Sequence, residues 1–197
     1  MTVASGFAEP VFDAQRAFRA VMAAFARPGF GHAVPADLAP PPPMTPALAT
    51  VALTLLDHDT PVWLDPPLAA APDVAAFLRF HAGAPIVCDP AAAAFALIAD
   101  PVAMPPFAAF AQGSDVYPDR SATLVLQVAC FAGATLALAG PGIKDTARFA
   151  ASPLPADFAQ RIKANRAAFP RGVDVVLCTA TEVAALPRSV RLVGEGA

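Results

Sequence analysis

The chain of 197 residues carries little charge, and lysine is nearly absent from it. Charged residues make up 15% of the sequence, the net charge is −3, and the two lysines are Lys144 and Lys163. Nucleic acids and anionic membranes are bound through clusters of Lys and Arg, so this composition gives no electrostatic basis for either partner. A surface with so few charges suggests instead that part of it is buried against partner subunits.

Cysteine and histidine are also scarce, and their spacing matches no metal site. The three cysteines have no C-x-x-C spacing and stand in apolar runs, so we expect reduced thiols in the cytosol rather than disulfides or zinc. The three histidines are too far apart in the sequence to form a ligand pattern. These six residues are Cys88, Cys130, Cys178, His32, His58 and His81.

The N-terminus has no basic region followed by an apolar core, so we expect no export signal and a cytoplasmic protein. The sequence also has no P-loop, no dinucleotide-binding glycine motif, no H-E-x-x-H and no G-x-S-x-G. We therefore predict no catalytic residues, no metal and no cofactor for the isolated chain. Lys144, near a predicted strand end, fits a pyridoxal Schiff base only weakly, because no phosphate cup or pyridinium partner accompanies it.

A long segment from Ala122 to Ile143 carries no charge. It is long enough to cross a membrane, but β-branched residues at 123–128 and the central Gly133 favour two buried strands joined by a turn. The second strand, 135–138, leads into Gly140-Pro141-Gly142, where the glycines permit positive φ angles and the proline forces a sharp exit. We therefore predict a hairpin in the centre of the sheet with this turn at the rim.

The remaining elements alternate between helix and strand, which predicts one α/β domain over residues 1–197, with a mixed sheet between helical layers. The predicted helices are 13–26, 46–57, 73–82 and 155–169, with Asp13, Thr45 and Asp73 as N-caps. The predicted strands are 61–65 at an edge, 85–88, 95–98, 173–178 and 189–193 at an edge, while 182–186 is predicted to be a turn or short helix. In the first helix the residues predicted to face the core are Phe18, Met22 and Phe25, with Val21 and Ala14. In the last helix Phe158, Ile162 and Phe169 are predicted to face inward and Arg161 outward. Pro40 to Pro43 indicate an extended surface loop or a partner contact.

The Gly140–Gly142 turn has two interpretations. Its backbone N–H groups and a nearby arginine could bind a phosphate or phosphonate, or the glycines only allow a tight turn. The candidate anion-binding residues are Gly140, Gly142, Arg27, Arg120 and Arg188. Arg120 ends a predicted loop, and Arg27 and Arg188 each adjoin a proline, so each arginine is expected on a loop, where its guanidinium could bind a phosphate. Each arginine could equally be an ion-paired surface residue, and Asp174 is a strand residue that such an arginine could pair with.

An ordered set of weak motifs spans nearly the whole chain, at 12–22, 26–29, 53–64, 113–124, 138–143, 165–174 and 186–188. No single motif is specific, but their order and spacing together are. In this order the motifs resemble the PhnH family, the H subunits of bacterial carbon–phosphorus lyase systems.

The resemblance implies a homodimer whose fold is like the large domain of pyridoxal-phosphate-dependent transferases, without the cofactor chemistry. It also implies a core complex with the G, I and J subunits. With the G, I and L subunits, such proteins support the step that joins a phosphonate to the ribose of ATP, releasing adenine and forming ribose 1-phosphonate 5-triphosphate. No catalytic residue carries over from the family. The alternative function is a stand-alone phosphate- or nucleotide-binding transferase that uses the Gly140–Gly142 turn.

Overall fold

The structure, a computed structural model, describes residues 3–194. The α-helices are α1 (Pro10–Ala26), α2 (Pro46–Leu55), α3 (Pro66–Ala69), α4 (Pro72–Ala82) and α5 (Phe158–Ala167). The strands are β1 (His32–Ala33), β2 (Val62–Leu64), β3 (Ile86–Val87), β4 (Phe95–Ile98), β5 (Thr123–Gln127), β6 (Leu136–Ala139), β7 (Ala147–Phe149), β8 (Asp174–Cys178), β9 (Glu182–Leu186) and β10 (Arg191–Leu192). Short 3-10 helices lie at Pro90–Ala92, Pro101–Ala103, Phe107–Ala109 and Pro118–Arg120.

A seven-stranded mixed sheet forms the centre of the molecule, with the strand order β1-β9-β8-β5-β4-β2-β3. Five neighbouring strands, β8, β5, β4, β2 and β3, run parallel to one another. At the β8 side, β9 pairs antiparallel with β8, and β1 pairs antiparallel with β9. The predicted α/β class with a mixed sheet is therefore confirmed. A second, three-stranded antiparallel sheet has the order β10-β6-β7.

Both faces of the large sheet are buried, and successive residues along its strands pack into different hydrophobic clusters on the two faces. Leu97 and Val125 pack in the cluster that includes α2 and α4. Their neighbours Leu124 and Leu126 pack in a second cluster with α5 and the small sheet. The large sheet is therefore the middle of three layers. No helix in the described part of the chain is long and apolar enough to span a membrane.

The predicted central hairpin is wrong. The first strand, β5, lies in the middle of the large sheet, where β4 and β8 occupy both of its edges. The second, β6, belongs to the small sheet and pairs with β7 and β10. Because β5 has no free edge, the following apolar segment cannot fold back onto it, and Gly140–Gly142 lies at the end of the small sheet.

Two other strand predictions also need correction. Residues 182–186, predicted as a turn or short helix, form β9, in which Val183 pairs with Cys178 and Leu186 with Val175. Their alanine-rich composition does not favour a strand, but burial against β8 outweighs local propensity. The strand predicted at an edge around Trp63 lies between β3 and β4, and Trp63 itself is buried in the core as expected.

The predicted N-cap Thr45 is confirmed, since its side chain accepts a hydrogen bond from the Leu48 N–H. The other two caps are wrong, because each helix starts earlier, at a proline in its first turn. The N-cap of α1 is Glu9, not Asp13, and the N-cap of α4 is Ala71, not Asp73. Proline suits a first helical position because no N–H is needed there.

The inward face predicted for α1 is partly wrong. Val21 is buried as expected, and Ala17 and Ala24 are buried as well, whereas Phe18 and Met22 are 47% and 51% exposed. The small side chains allow α1 to lie close to the sheet, which turns the larger ones toward solvent.

The last predicted helix also differs from the structure. Phe158 and Ile162 of α5 are buried as expected, but Phe169 lies beyond the helix and is 50% exposed. Arg161, predicted to face outward, is held by the carbonyl groups of Met104 and Pro105.

Candidate functional site

The Gly140–Gly142 turn is packed between two other loops. A Cβ atom on Gly140 would lie 3.2 Å from the carbonyl oxygen of Ser189, the residue after Arg188. A Cβ atom on Gly142 would lie 2.2 Å from the carbonyl oxygen of Ala26, the residue before Arg27. The fold therefore brings four of the five candidate positions into neighbouring loops, although they are far apart in the sequence.

The backbone of this turn has the conformation that its glycines predicted, with φ angles of 147° at Gly140 and 80° at Gly142. The close neighbour of Gly142 is a carbonyl group at the C-terminal end of α1. This end of a helix carries negative partial charge, so it does not contribute to the binding of an anion. Anion binding at the turn stays a prediction.

Arg188 forms a partly buried ion pair with Asp174, as the sequence suggested for this aspartate. The two side chains are 15% and 19% exposed. The Asp174 carboxylate accepts from the Arg188 guanidinium and also from its backbone N–H, at 2.8 Å. A further guanidinium N–H donates to the Pro118 carbonyl. These contacts tie the start of β8 to the end of β9 and to the loop before β5.

Arg120 has a different environment. Its guanidinium lies over the ring of Tyr117, 4.4 Å from the centroid, and it forms no ion pair within residues 3–194. It lines a cavity of about 320 Å³ together with Asp119 and Ser121. Arg120 is therefore the candidate whose charge is not already satisfied by a described carboxylate and which borders a cavity.

Open α/β sheets often bind ligands at the carboxyl ends of their parallel strands. In this protein, side chains at these strand ends form hydrogen bonds with neighbouring loops. At the end of β5, the Gln127 side chain accepts from the Thr45 N–H at 2.9 Å and donates to the Pro43 carbonyl at 3.1 Å. Gln127 thus holds the proline-rich loop across this edge. Sequence analysis missed this role, because nothing local to Gln127 indicates a partner more than eighty residues away.

Asp65 follows β2 and is 1% exposed. Its carboxylate accepts N–H bonds from Leu68, Ala99 and Asp100 at 3.2, 2.8 and 2.8 Å. Burial raises the pKa of Asp65, and these N–H bonds oppose that rise. The residue caps α3 and joins the ends of β2 and β4. The Asp-Pro-Pro sequence that follows a strand was the local signal for such a cap.

The thiols and imidazoles are dispersed. Cys178 is fully buried, and burial raises the pKa of its thiol, while Cys88 and Cys130 are exposed. His81 bonds the Ala4 carbonyl through Nε2 at 2.8 Å and so holds the N-terminal segment. Within residues 3–194, no group of three or more His, Cys, Asp or Glu side chains is arranged to hold a metal ion.

Below the N-terminal segment lies a groove of about 970 Å³ that sequence analysis did not anticipate. Asp13 lines it and accepts the Glu9 N–H at 3.0 Å and an Arg16 guanidinium N–H at 2.5 Å. These two hydrogen bonds lower the pKa of the Asp13 carboxyl. The polar groups at this wall are thus paired with one another.

Comparisons with known proteins agree with the resemblance noted in the sequence. The family model described as "Bacterial phosphonate metabolism protein (PhnH)" matches residues 5–193. A protein of Rhizobium meliloti (strain 1021), named alpha-D-ribose 1-methylphosphonate 5-triphosphate synthase subunit PhnH, is 45% identical over 187 residues. That alignment covers 94% of this chain and 93% of the relative.

A second relative, HtxG of Stutzerimonas stutzeri, is described as a C-P lyase subunit and is 40% identical over 87 residues. This match covers 43% of the chain and 44% of the relative. Neither description supports the alternative of a stand-alone phosphate- or nucleotide-binding transferase. Because the family match and the longer alignment both extend over almost the whole chain, this protein belongs to the PhnH family of bacterial phosphonate metabolism proteins.

Proposed function

We propose that this protein is the H subunit of a carbon–phosphorus lyase system and supports the formation of ribose 1-methylphosphonate 5-triphosphate from ATP and methylphosphonate. The observation that carries the proposal is the 45% identity, over 94% of this chain, with the rhizobial synthase subunit. The Arg188–Asp174 ion pair and the Gln127 contacts use their polar groups to hold the fold together. Such use supports a structural or co-catalytic role for the subunit.

The proposal includes the assembly that the family resemblance implies. The protein would form a homodimer and join the G, I and J subunits, with the L subunit added for the first step, in the cytoplasm. Residues 1–197 would form one domain, related in fold to the large domain of pyridoxal-phosphate-dependent transferases but acting without that cofactor. The two cores on opposite faces of a single central sheet support the one-domain arrangement.

An exposed apolar surface on α1 supports the subunit role. We call it the outer α1 face, and it consists of Val11, Phe12, Phe18 and Met22. Their exposed fractions range from 47% for Phe18 to 76% for Val11. Val11, Phe18 and Met22 are spaced seven and four residues apart, so they lie along one side of the helix. Large apolar side chains that stay exposed along one side of a helix are typical of a protein contact.

Growth on methylphosphonate as the sole phosphorus source tests the function. Deletion of the gene in a host that carries the rest of the system is expected to abolish growth, and a plasmid copy is expected to restore it. Growth of the deletion strain on inorganic phosphate is the control. Undiminished growth of that strain on methylphosphonate would contradict the proposed function.

Co-purification tests the assembly. We expect the double substitution Phe18→Ser and Met22→Ser to reduce recovery of the protein with tagged G, I and J subunits, without lowering its Tm. The matched control is Phe80→Ser, since Phe80 is 72% exposed on a different helix, α4. Sedimentation of the isolated variants shows whether the outer α1 face serves the homodimer instead. Normal recovery and a normal dimer for the double variant would rule out this face as a contact.

A further inference from the structure

A small cavity beside the start of β5 contains polar groups without partners in an otherwise neutral lining. Its volume is about 320 Å³. Most of the lining is Pro61 and a run of alanines at 91–94, whose short side chains leave the space open. The polar residues of the lining are Asp119, Arg120 and Ser121.

The Ser121 hydroxyl is buried and has no hydrogen-bond partner, although the residue is only 9% exposed. Folded proteins pair nearly all such groups, because leaving one unpaired costs the hydration that it loses. The backbone around Ser121 is held by a bridge to Gln112 and by the bond from the Ala122 N–H to the Ala111 carbonyl, at 2.8 Å. An unpaired donor on a fixed backbone is what a bound acceptor would satisfy.

Arg120 supplies a positive charge at the same cavity. Arg120 is exposed, and its guanidinium carbon lies 4.4 Å from the centroid of the Tyr117 ring. Its N–H groups donate to no carboxylate within residues 3–194, so they are available to a bound acceptor. The Pro118–Arg120 turn is itself fixed, because Gly113 approaches it so closely that a Cβ atom there would lie 2.8 Å from the Pro118 carbonyl oxygen. The arginine and the hydroxyl are thus adjacent in sequence, held in place and without ion-pair or hydrogen-bond partners in the described structure.

We propose that this cavity binds a tetrahedral oxyanion, the phosphate or phosphonate group of a small ligand, with the Arg120 guanidinium and the Ser121 hydroxyl as donors. Arginine and hydroxyl donors match the acceptor oxygens of such a group. Asp119 lines the same cavity, and its negative charge limits the affinity. The proposal concerns the isolated chain and does not depend on the subunit role, so its failure and that of the proposed function are distinguishable.

The test is a titration of the purified, ¹⁵N-labelled full chain in phosphate-free buffer, followed through the backbone amide signals of residues 119–122. Separate titrations use methylphosphonate, inorganic phosphate and ATP, and their relative affinities identify the source of the oxyanion. We expect at least one of the three to give saturable shifts centred on these residues. Shifts that do not saturate, or that spread evenly over the surface, would overturn the proposal.

Four variants locate the site. Arg120→Gln is expected to weaken binding at least about tenfold, and Ser121→Ala about fivefold without lowering the Tm, because it removes an unpaired hydroxyl. Asp119→Asn is expected to tighten binding about twofold, and this exposed position keeps the test decisive if another variant fails to fold. The control is Arg166→Gln, whose guanidinium lies 4.5 Å over the Phe169 ring without sharing the cavity. Equal losses in the Arg120 and Arg166 variants would sink the proposed site.

Discussion

Replacing Gly142 by alanine tests the packing of the turn that follows β6. The glycine has a φ of 80°, and a Cβ atom would lie 2.2 Å from the Ala26 carbonyl oxygen and 3.0 Å from Pro28 Cδ. A left-handed conformation costs a non-glycine residue about 1 kcal/mol. The contact with Ala26 is to backbone, so the turn and the end of α1 must separate, which costs about 2 kcal/mol by analogy with overpacked cores. We therefore expect a total loss of about 3 kcal/mol.

Gly83→Ala is the matched control. Gly83 also has a positive φ, 68°. Apart from the residues next to it in the sequence, the atom closest to a new Cβ would be the Cβ of His58, 3.6 Å away. This distance is an ordinary contact, so only the conformational cost of about 1 kcal/mol applies. The difference between the two variants then isolates the steric term at Gly142.

The assay is urea denaturation monitored by the fluorescence of Trp63, the one tryptophan, which is buried against Phe110 with ring centroids 5.5 Å apart. A loss of about 3 kcal/mol corresponds to a fall in Tm of roughly 6–12 °C for a chain of this size. If Gly142→Ala were no more destabilising than Gly83→Ala, the turn and the end of α1 would not be in contact.

Three further predictions concern polar side chains that are buried or partly buried. Asp174→Ala leaves the partly buried Arg188 guanidinium with only the Pro118 carbonyl as a partner, and we expect a loss of about 2 kcal/mol in urea denaturation. Adding Arg188→Met should recover part of the loss, and no recovery would count against the pair. Asn165→Ala removes two hydrogen bonds of 2.8 Å to the backbone before β8, and we expect a loss of about 2 kcal/mol by the same method; a loss near zero would show that water replaces them. Arg16→Gln is expected to raise the pKa of Asp13, measured by carboxyl NMR titration, because the arginine helps to lower it. A lowered carboxyl pKa stabilises the folded protein at pH values above 3.8, the ordinary pKa of the group. The variant should therefore be less stable than the parent at pH 7, and the two should be equally stable below the pKa of the folded carboxyl. A difference in stability that persisted at such low pH would disprove the linkage.

Elements defined by local signals were predictable. The strand at 95–98 and the core strand that ends at Cys178 follow from short apolar runs between proline and glycine residues. The second helix follows from Thr45 and Pro46, since a capping hydroxyl and a first-turn proline both act within one turn. The glycine conformations at 140 and 142 were predictable for the same reason.

The candidate site was predictable only as a set of residues. Arg120, Arg27 and Arg188 look alike in the sequence, since each lies at the end of a predicted loop or next to a proline. Whether an arginine is neutralised depends on the position of a distant carboxylate, and only Arg188 has Asp174 beside it within the described structure. The unpaired hydroxyl of Ser121 gave no signal at all, because burial without a partner is a property of the assembled fold.

The α/β class, the strands buried on both faces and the membership of the PhnH family could be predicted from composition, short-range periodicity and the order of motifs, which are all properties of the chain. The division of β5 and β6 between two sheets and the outward position of the large side chains of α1 follow from long-range packing. An apolar strand buries its side chains equally well at any sheet edge that is covered by the core. Its partner is therefore selected by competition among distant segments, and here β4 and β8 occupied both edges of β5.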